Sequence, residues 1–366
     1  MKTLRAGAAI AAAVALTLSA CATNESDSGS TSSDSASSAD TLSGTLQGTG
    51  ASSAKAAQEV WRAAFQEAHS AVTVNYSPDG SGAGRTAFTD GAADFAGSDR
   101  ALKDDEMSGT FALCATGTTP INLPIYISPI AIVYNVEGVD DLKLDAEVVA
   151  KIFKGEITNW NDAAIAELNS GASLPDLAIT PVHRSDNSGT TENFTATLAS
   201  IAPEVWTDAS SGDWPATLGG EGAQGTSGVI AAVQNGAGTI GYADESGVED
   251  GMTVATYSPD GTGEYVGPTA DDAAQIVEAS SRVEGREDND WALDLDRTAA
   301  GYPFVLVSYA IACQEYADSA KGELVNAYLT YIASDEGQEA AQPQAGNAPL
   351  SGDLATGVQE AAASIK

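Results

Sequence analysis

The 366-residue chain sets 16 Lys and Arg against 51 Asp and Glu, a formal charge of -35, with 43% hydrophobic residues. No basic excess is present to hold nucleic-acid phosphates, and an anionic membrane surface would repel such a chain, while the apolar fraction suffices for a globular core. The 3 Cys and 2 His are too scattered for a four-ligand zinc site and no EF-hand loop occurs, so neither metal nor cofactor is expected.

At the N-terminus, Lys2 and Arg5 precede an apolar, alanine-rich stretch over residues 6–18. It falls short of the roughly 20 residues a bilayer span needs and reads as a secretory signal peptide over residues 1–20. Leu18-Ser19-Ala20-Cys21 resembles the lipobox of bacterial lipoproteins, which implies cleavage before Cys21 and a diacylglyceryl group on its thiol. The plainer alternative is an ordinary signal peptide with a chance cysteine. Residues 21–40, rich in Ser, Asp and Gly, cannot bury a core and read as a flexible tether. Outside the cytoplasm disulfides persist, so the remaining pair, Cys114 and Cys313, is expected to form a bridge rather than two buried thiols.

Gly48-Thr49-Gly50-Ala51-Ser52-Ser53 leads into a helix over 54–69 that sets Ala57, Val60, Trp61 and Phe65 on one face. A strand over 71–76 follows, then a second glycine-serine segment, Asp79-Gly80-Ser81-Gly82-Ala83-Gly84. The stretch Ala93 to Arg100 brings Asp99 beside Arg100, either as a solvated pair or as an acceptor for a proton-bearing ligand. Residues 125–136 form a long strand-like run interrupted by Pro129, and helices are expected over 148–153 and 162–169. After a strand over 177–182 comes a third segment, Arg184-Ser185-Asp186-Asn187-Ser188-Gly189-Thr190-Thr191, opening a helix over 191–200. Strands over 238–242 and 304–312 and a helix over 323–332 complete the pattern, which predicts an α/β fold, with the length suggesting two domains.

The three segments share a chemistry. Hydroxyl residues cap helix N-termini, glycine lets backbone N–H groups approach a ligand, and the unpaired first-turn N–H groups carry partial positive charge. Each alone is an ordinary capped helix; three together with Arg184 point to one small anion. None is a nucleotide loop, because no Gly-Lys-Ser/Thr follows.

These residues resemble the phosphate-binding lipoproteins of bacterial high-affinity phosphate ABC transporters. The resemblance is carried by Gly48 to Ser52, Gly80 to Gly82, Asp94-Phe95 through Ser98-Asp99, and Ile152 to Trp160, with Arg184 to Thr190 and Gly238 to Tyr242. One departure is Ser52-Ser53 where the family motif has Thr-Phe. The likeness implies a two-domain periplasmic-binding-protein fold with an interdomain cleft. Domain I would hold 41–133 and 303–366 and domain II 134–302, with hinge crossings near Tyr134 and near Tyr302 to Phe304.

It further implies inorganic phosphate as ligand, held by Ser52, Ser53, Ser81, Asp99, Arg184, Ser188, Gly189 and Thr190, with Asp186 orienting Arg184. The partners implied are the permease and ATPase subunits of the transporter. The protein would be an extracytoplasmic monomer held to the membrane by its lipid alone, with no nucleic-acid partner. A serine-based phosphatase would need a base beside its nucleophile, and neither His69 nor His183 has a neighbouring Asp partner in sequence. An adhesin or starvation sensor on the same fold is the other alternative.

Overall fold

A computed structural model describes residues 42–259, 261 and 263–366. The expected signal peptide, Cys21 and the tether lie outside these residues. Strand–helix alternation begins at once: β1 (Gly44–Gly50), α1 (Lys55–Ala68), β2 (Val72–Ser77), α2 (Ser81–Thr89), β3 (Phe95–Ser98), α3 (Asp104–Met107) and β4 (Pro120–Asn135). The middle of the chain supplies β5 (Lys143–Asp145), α4 (Ala146–Lys154), α5 (Ala163–Leu168), β6 (Thr180–Arg184), α6 (Gly189–Ile201), β7 (Glu221–Ala223), α7 (Gly225–Asn235) and β8 (Thr239–Asp244). Then come β9 (Thr253–Val254), β10 (Thr256–Ser258), α8 (Ala270–Ala279), β11 (Ser281–Arg282), β12 (Leu293–Asp294), β13 (Val305–Cys313), α9 (Ser319–Ala333), α10 (Asp335–Ala345) and α11 (Gly352–Ala363).

The main sheet runs β2-β1-β3-β13-β4-β8-β6-β7, with β9 on β4. Pairing is parallel within β2-β1-β3 and β8-β6-β7, and antiparallel around β13 and β4. The edge strand β2 alternates buried and exposed residues, whereas β4 and β13 are buried almost throughout and therefore read as unbroken apolar runs. The 125–136 strand proves longer, starting at Pro120, and passes through Pro124 and Pro129. Pro129 is the last residue paired with β13, and from Ile130 onward β4 pairs with β8. Pro124 sits at the register shift between Ser308 and Tyr309. The missing N–H of Pro124 and of Pro129 thus falls where the ladder is already broken, and Pro120 opens the strand.

Two other boundaries differ from expectation. The strand expected over 177–182 is β6, displaced to Thr180–Arg184, because Leu177, Ala178 and Ile179 pair instead with the 158–160 loop and Gly238. Strand β1 has little apolar sequence, and glycine makes it possible: a Cβ at Gly50, at φ +141°, would lie 1.9 Å from the Gly97 carbonyl oxygen of β3. That close approach brings the β1–α1 loop and the end of β3 side by side.

Aromatic side chains fill the core on both sides of the β4 changeover. Phe65 meets Tyr328 edge-on at 5.1 Å, and Phe194 stacks on Tyr242 at 4.2 Å. Cys114 and Cys313 are bonded, as expected, closing a loop of sequence separation 199. Residues Leu42–Lys366 make one compact unit.

Candidate anion-binding site

The three glycine-hydroxyl segments meet around Asp99, whose residue is only 3% exposed. Ser53, at the mouth of α1, donates its hydroxyl to Asp99 Oδ1 at 2.6 Å. Ser81, the first residue of α2, accepts the Asp99 backbone N–H at 3.0 Å. Thr190, in the first turn of α6, donates to Asp99 Oδ2 at 3.3 Å. Gly189 has no side chain because none would fit: a Cβ there would lie 2.5 Å from Asp99 Cβ and 2.6 Å from Ser81 Oγ. Ser188 caps α6, accepting the Thr191 N–H at 3.3 Å, so the Gly189 and Thr190 N–H groups belong to the first turn, which the helix itself leaves without acceptors.

The mouths of α1 and α2 have no side-chain cap, in contrast to α4, α5, α8, α9 and α10, which are capped by Asp, Thr or Ser. At the site, α1 and α2 thus leave first-turn donors without a side-chain acceptor, whereas α6 is capped by Ser188.

Arg184, 3% exposed, ends β6. Its Nε donates to Asp186 Oδ1 at 2.8 Å, its Nη2 to Asp186 Oδ2, and its backbone N–H meets the Tyr242 hydroxyl at 3.3 Å. Asp186 is therefore an orienting partner and not a solvated loop residue. Burial pushes its carboxyl up, but the Arg184 contacts outweigh this and hold it below its ordinary value. For Asp99 the balance is reversed: burial dominates and raises it, against the Ser53 and Ser308 hydroxyls and the Arg184 charge. The Asp99–Arg100 pair suggested by sequence is absent among the described residues. Arg100 turns away to Glu106 at 2.6 Å and Glu192 at 2.8 Å, and Lys103 also reaches Glu192 at 2.9 Å.

The structure thus brings the eight expected residues into one contiguous cluster and adds a fourth helix mouth that sequence reading missed. Ser52 Oγ lies 3.1 Å from Thr226 Oγ1 and accepts the Thr226 N–H at 3.2 Å, while the Gly225 N–H donates to Asp186 Oδ1 at 3.0 Å. Helix α7 also lacks a side-chain cap. Its sequence, Gly225-Thr226-Ser227-Gly228, has the same glycine-hydroxyl form as the other three and could have been found by it.

Chemically, the cluster offers backbone N–H groups, hydroxyls and one guanidinium to an anion, and one carboxylate acceptor to a proton on that anion. His183 stacks on Trp214 at 4.8 Å with Nδ1 against the Arg184 carbonyl, and it makes no hydrogen bond to a site serine among the described residues. Among the described residues, no group of three or more His, Cys, Asp or Glu is placed to hold a metal ion.

A family model described as a PBP superfamily domain matches residues 35–336. The phosphate-binding protein PstS3 of Mycobacterium bovis is 36% identical over 340 residues, covering 90% of each chain. The phosphate-binding protein PstS of Methanocaldococcus jannaschii is 31% identical, covering 84% of this chain and 82% of the relative. A solved phosphate-binding protein from Stenotrophomonas maltophilia superposes with a TM-score of 0.67 at 20% identity, covering 87% of this chain and 93% of the other. A putative phosphate ABC transporter substrate-binding protein with bound phosphate from Clostridium perfringens gives 0.60 at 20% identity, covering 84% and 100%. At these identities the structures share the fold.

Proposed function

The chain belongs to the PstS family of phosphate-binding proteins within the PBP superfamily, and from that membership and the converging helix mouths we propose that it binds inorganic phosphate and delivers it to the permease of an ABC transporter. The observation that carries the reading is the meeting of three helix N-termini, two of them without a side-chain cap, on a buried carboxylate, Asp99, with Arg184 beside it. Helix N-termini and an arginine attract any oxyanion. A buried acceptor selects one that still carries a proton, which phosphate does near neutral pH and sulfate does not.

In this reading Ser52, Ser53, Ser81, Arg184, Ser188, Gly189 and Thr190 ligate phosphate, Asp99 takes its proton, and nothing is chemically transformed. Domain I holds 41–133 and 303–366, and domain II holds 134–302. The change of partner along β4 at Pro129–Ile130 supports a crossing in that strand. Ser52–Thr226 and Arg100–Glu192 then join the two domains in the closed state. The protein acts as an extracytoplasmic monomer, tethered through lipidated Cys21 and handing phosphate to the permease, which the ATPase subunits drive.

Calorimetry of protein stripped of ligand, titrated with phosphate and then with sulfate, tests the reading. Saturable binding of phosphate with much weaker binding of sulfate is expected; equal affinity for both would remove it.

A further inference from the structure

Among the described residues, the buried and half-buried arginines near the site have acidic partners, and Arg297 does not. Arg184 pairs with Asp186, Arg85 and Arg100 with Glu106, and Arg286 with Asp290. Arg297, 9% exposed, has no ion pair among the described residues. Its guanidinium is held by neutral oxygens alone: Nη1 donates to Thr197 Oγ1 at 2.9 Å and to the Val305 carbonyl at 3.0 Å, and Nη2 donates to Asn193 Oδ1. A buried charge without a counter-ion is costly, and the cost is removed when an opposite charge arrives nearby.

Asn193 connects this charge to the anion site. Its Nδ2 donates to the Asp99 carbonyl at 2.6 Å and to the Gly189 carbonyl at 2.9 Å. Arg297 therefore stands one side chain behind the mouth of α6. The guanidinium of Arg184, which faces the site, is already neutralised by Asp186.

We propose that Arg297 is a positioning and charge-balancing residue of the anion site: without touching the ligand, it supplies the uncompensated positive charge that favours the doubly charged form of phosphate. This rests on the phosphate reading above. Asp99 lines the same cavity as Arg297, but its carboxyl oxygens are taken by the Ser53 and Thr190 hydroxyls. Asn193 and Thr197 of α6 are neutral. The Tyr309 hydroxyl and Asp294 act on it only through their fields, and Asp294 is exposed to solvent. A cavity of about 420 Å³ separates it from Arg100, Lys103 and Glu192, which are engaged with one another. Burial lowers Arg297 only to about 10, so it stays protonated throughout the range of the test.

The experiment measures phosphate affinity by calorimetry at about pH 5.5, where the monoanion dominates, and about pH 8, where the dianion does, for wild type, Arg297→Gln, Arg297→Met and Arg297→Lys. A unit charge at about 10 Å in an effective dielectric of about 20 changes affinity roughly tenfold per unit of ligand charge. The neutral variants should therefore lose roughly tenfold more affinity at the higher pH than at the lower. The lysine variant, which keeps the charge and loses the fork, should hold the wild-type ratio between the two pH values within about threefold. Methionine preserves the packing of the stem should glutamine fail to fold, and the lysine variant decides the matter if both neutral forms fail. Equal losses at both pH values in a folded neutral variant, or a lysine variant whose ratio collapses, would overturn the proposal. Wild type that binds no phosphate would instead remove the reading on which it rests.

Discussion

Asp244 gives the sharpest test of how burial sets ionisation in this molecule. It ends β8 and is fully buried. Oδ1 accepts from the Tyr126 hydroxyl at 2.9 Å, the Ser246 hydroxyl at 2.5 Å and the Ser246 N–H at 3.1 Å. Oδ2 is buried with no hydrogen-bond partner among the described residues. Burial pushes the carboxyl from its ordinary 3.8 up to about 7, with Asp99 adding to the rise and the surrounding hydroxyls opposing it. The folded state thus binds the proton more tightly than the unfolded chain. Stability from this group is full below about pH 4, falls as pH rises, and levels off above about pH 7. At about 1.4 kcal/mol per tenfold change in proton affinity, the total loss is about 4 kcal/mol, of which between 2 and 3 kcal/mol (roughly) falls between pH 5 and pH 8.

Asp244→Asn removes this titration and leaves the other groups in place. Its amide nitrogen takes the unpartnered position of Oδ2, a pH-independent penalty of about 1–3 kcal/mol. The diagnostic quantity is therefore the slope. Urea unfolding of ligand-free wild type and variant at pH 5 and pH 8 should show the variant gaining roughly 2–3 kcal/mol relative to wild type as pH rises. A stability difference that stays the same at both pH values would show that Asp244 is not held protonated by burial, and the reasoning would fail.

Arg184→Ala should weaken phosphate binding by about a hundredfold or more, since a charge-assisted forked contact contributes about 1.5–3 kcal/mol per hydrogen bond; a change below about threefold in calorimetry would remove Arg184 from the ligands. Asp99→Asn should keep appreciable phosphate binding but lose part of the discrimination against sulfate, read as the ratio of the two affinities at fixed pH and ionic strength. Thr226→Val deletes the hydroxyl facing Ser52 and should cost about 2–10-fold in phosphate affinity, seen as faster dissociation in stopped flow, with no change in the pH dependence. Removing the Cys114–Cys313 bridge by a double alanine substitution should destabilise the protein by up to about 5 kcal/mol in denaturant melts, the loop-entropy limit for a separation of 199.

Much of this site is legible in sequence because its chemistry is local. A helix mouth consists of adjacent residues, so Ser52-Ser53, Gly80-Ser81 and Ser188-Gly189-Thr190 announce themselves, and Arg184 with Asp186 falls within one loop. The mouth of α7 escaped because the strand before it, β7, is a three-residue piece without an apolar run, so nothing marked a strand-to-helix turn at Gly225. β1 escaped for a related reason: its fit depends on Phe95 lying over Gly48 and on Gly97 lying against Gly50, contacts that only folding creates. Asp244 and Arg297 are less legible still. The burial of one depends on Tyr126, 118 residues earlier in the chain, and the position of the other on Asn193, 104 residues away. No local pattern distinguishes either from a surface charge.

The same distinction resolves an apparent conflict between a chain of formal charge -35 and an anionic ligand. Solvent and salt screen the exposed carboxylates over about 8 Å, so they act weakly on a buried site. Inside, most formal charges are paired: Arg184 with Asp186, and Arg85, Arg100 and Lys103 with Glu106 and Glu192. In the proposed reading, attraction then comes from oriented N–H groups at the helix mouths and from Arg297, and discrimination from the carboxylate of Asp99. Selectivity of this kind needs little net positive charge. It needs fixed donors where the anion has oxygens and one fixed acceptor where it has a proton, and tight packing of glycines such as Gly189 against Asp99 holds donors and acceptor at those positions.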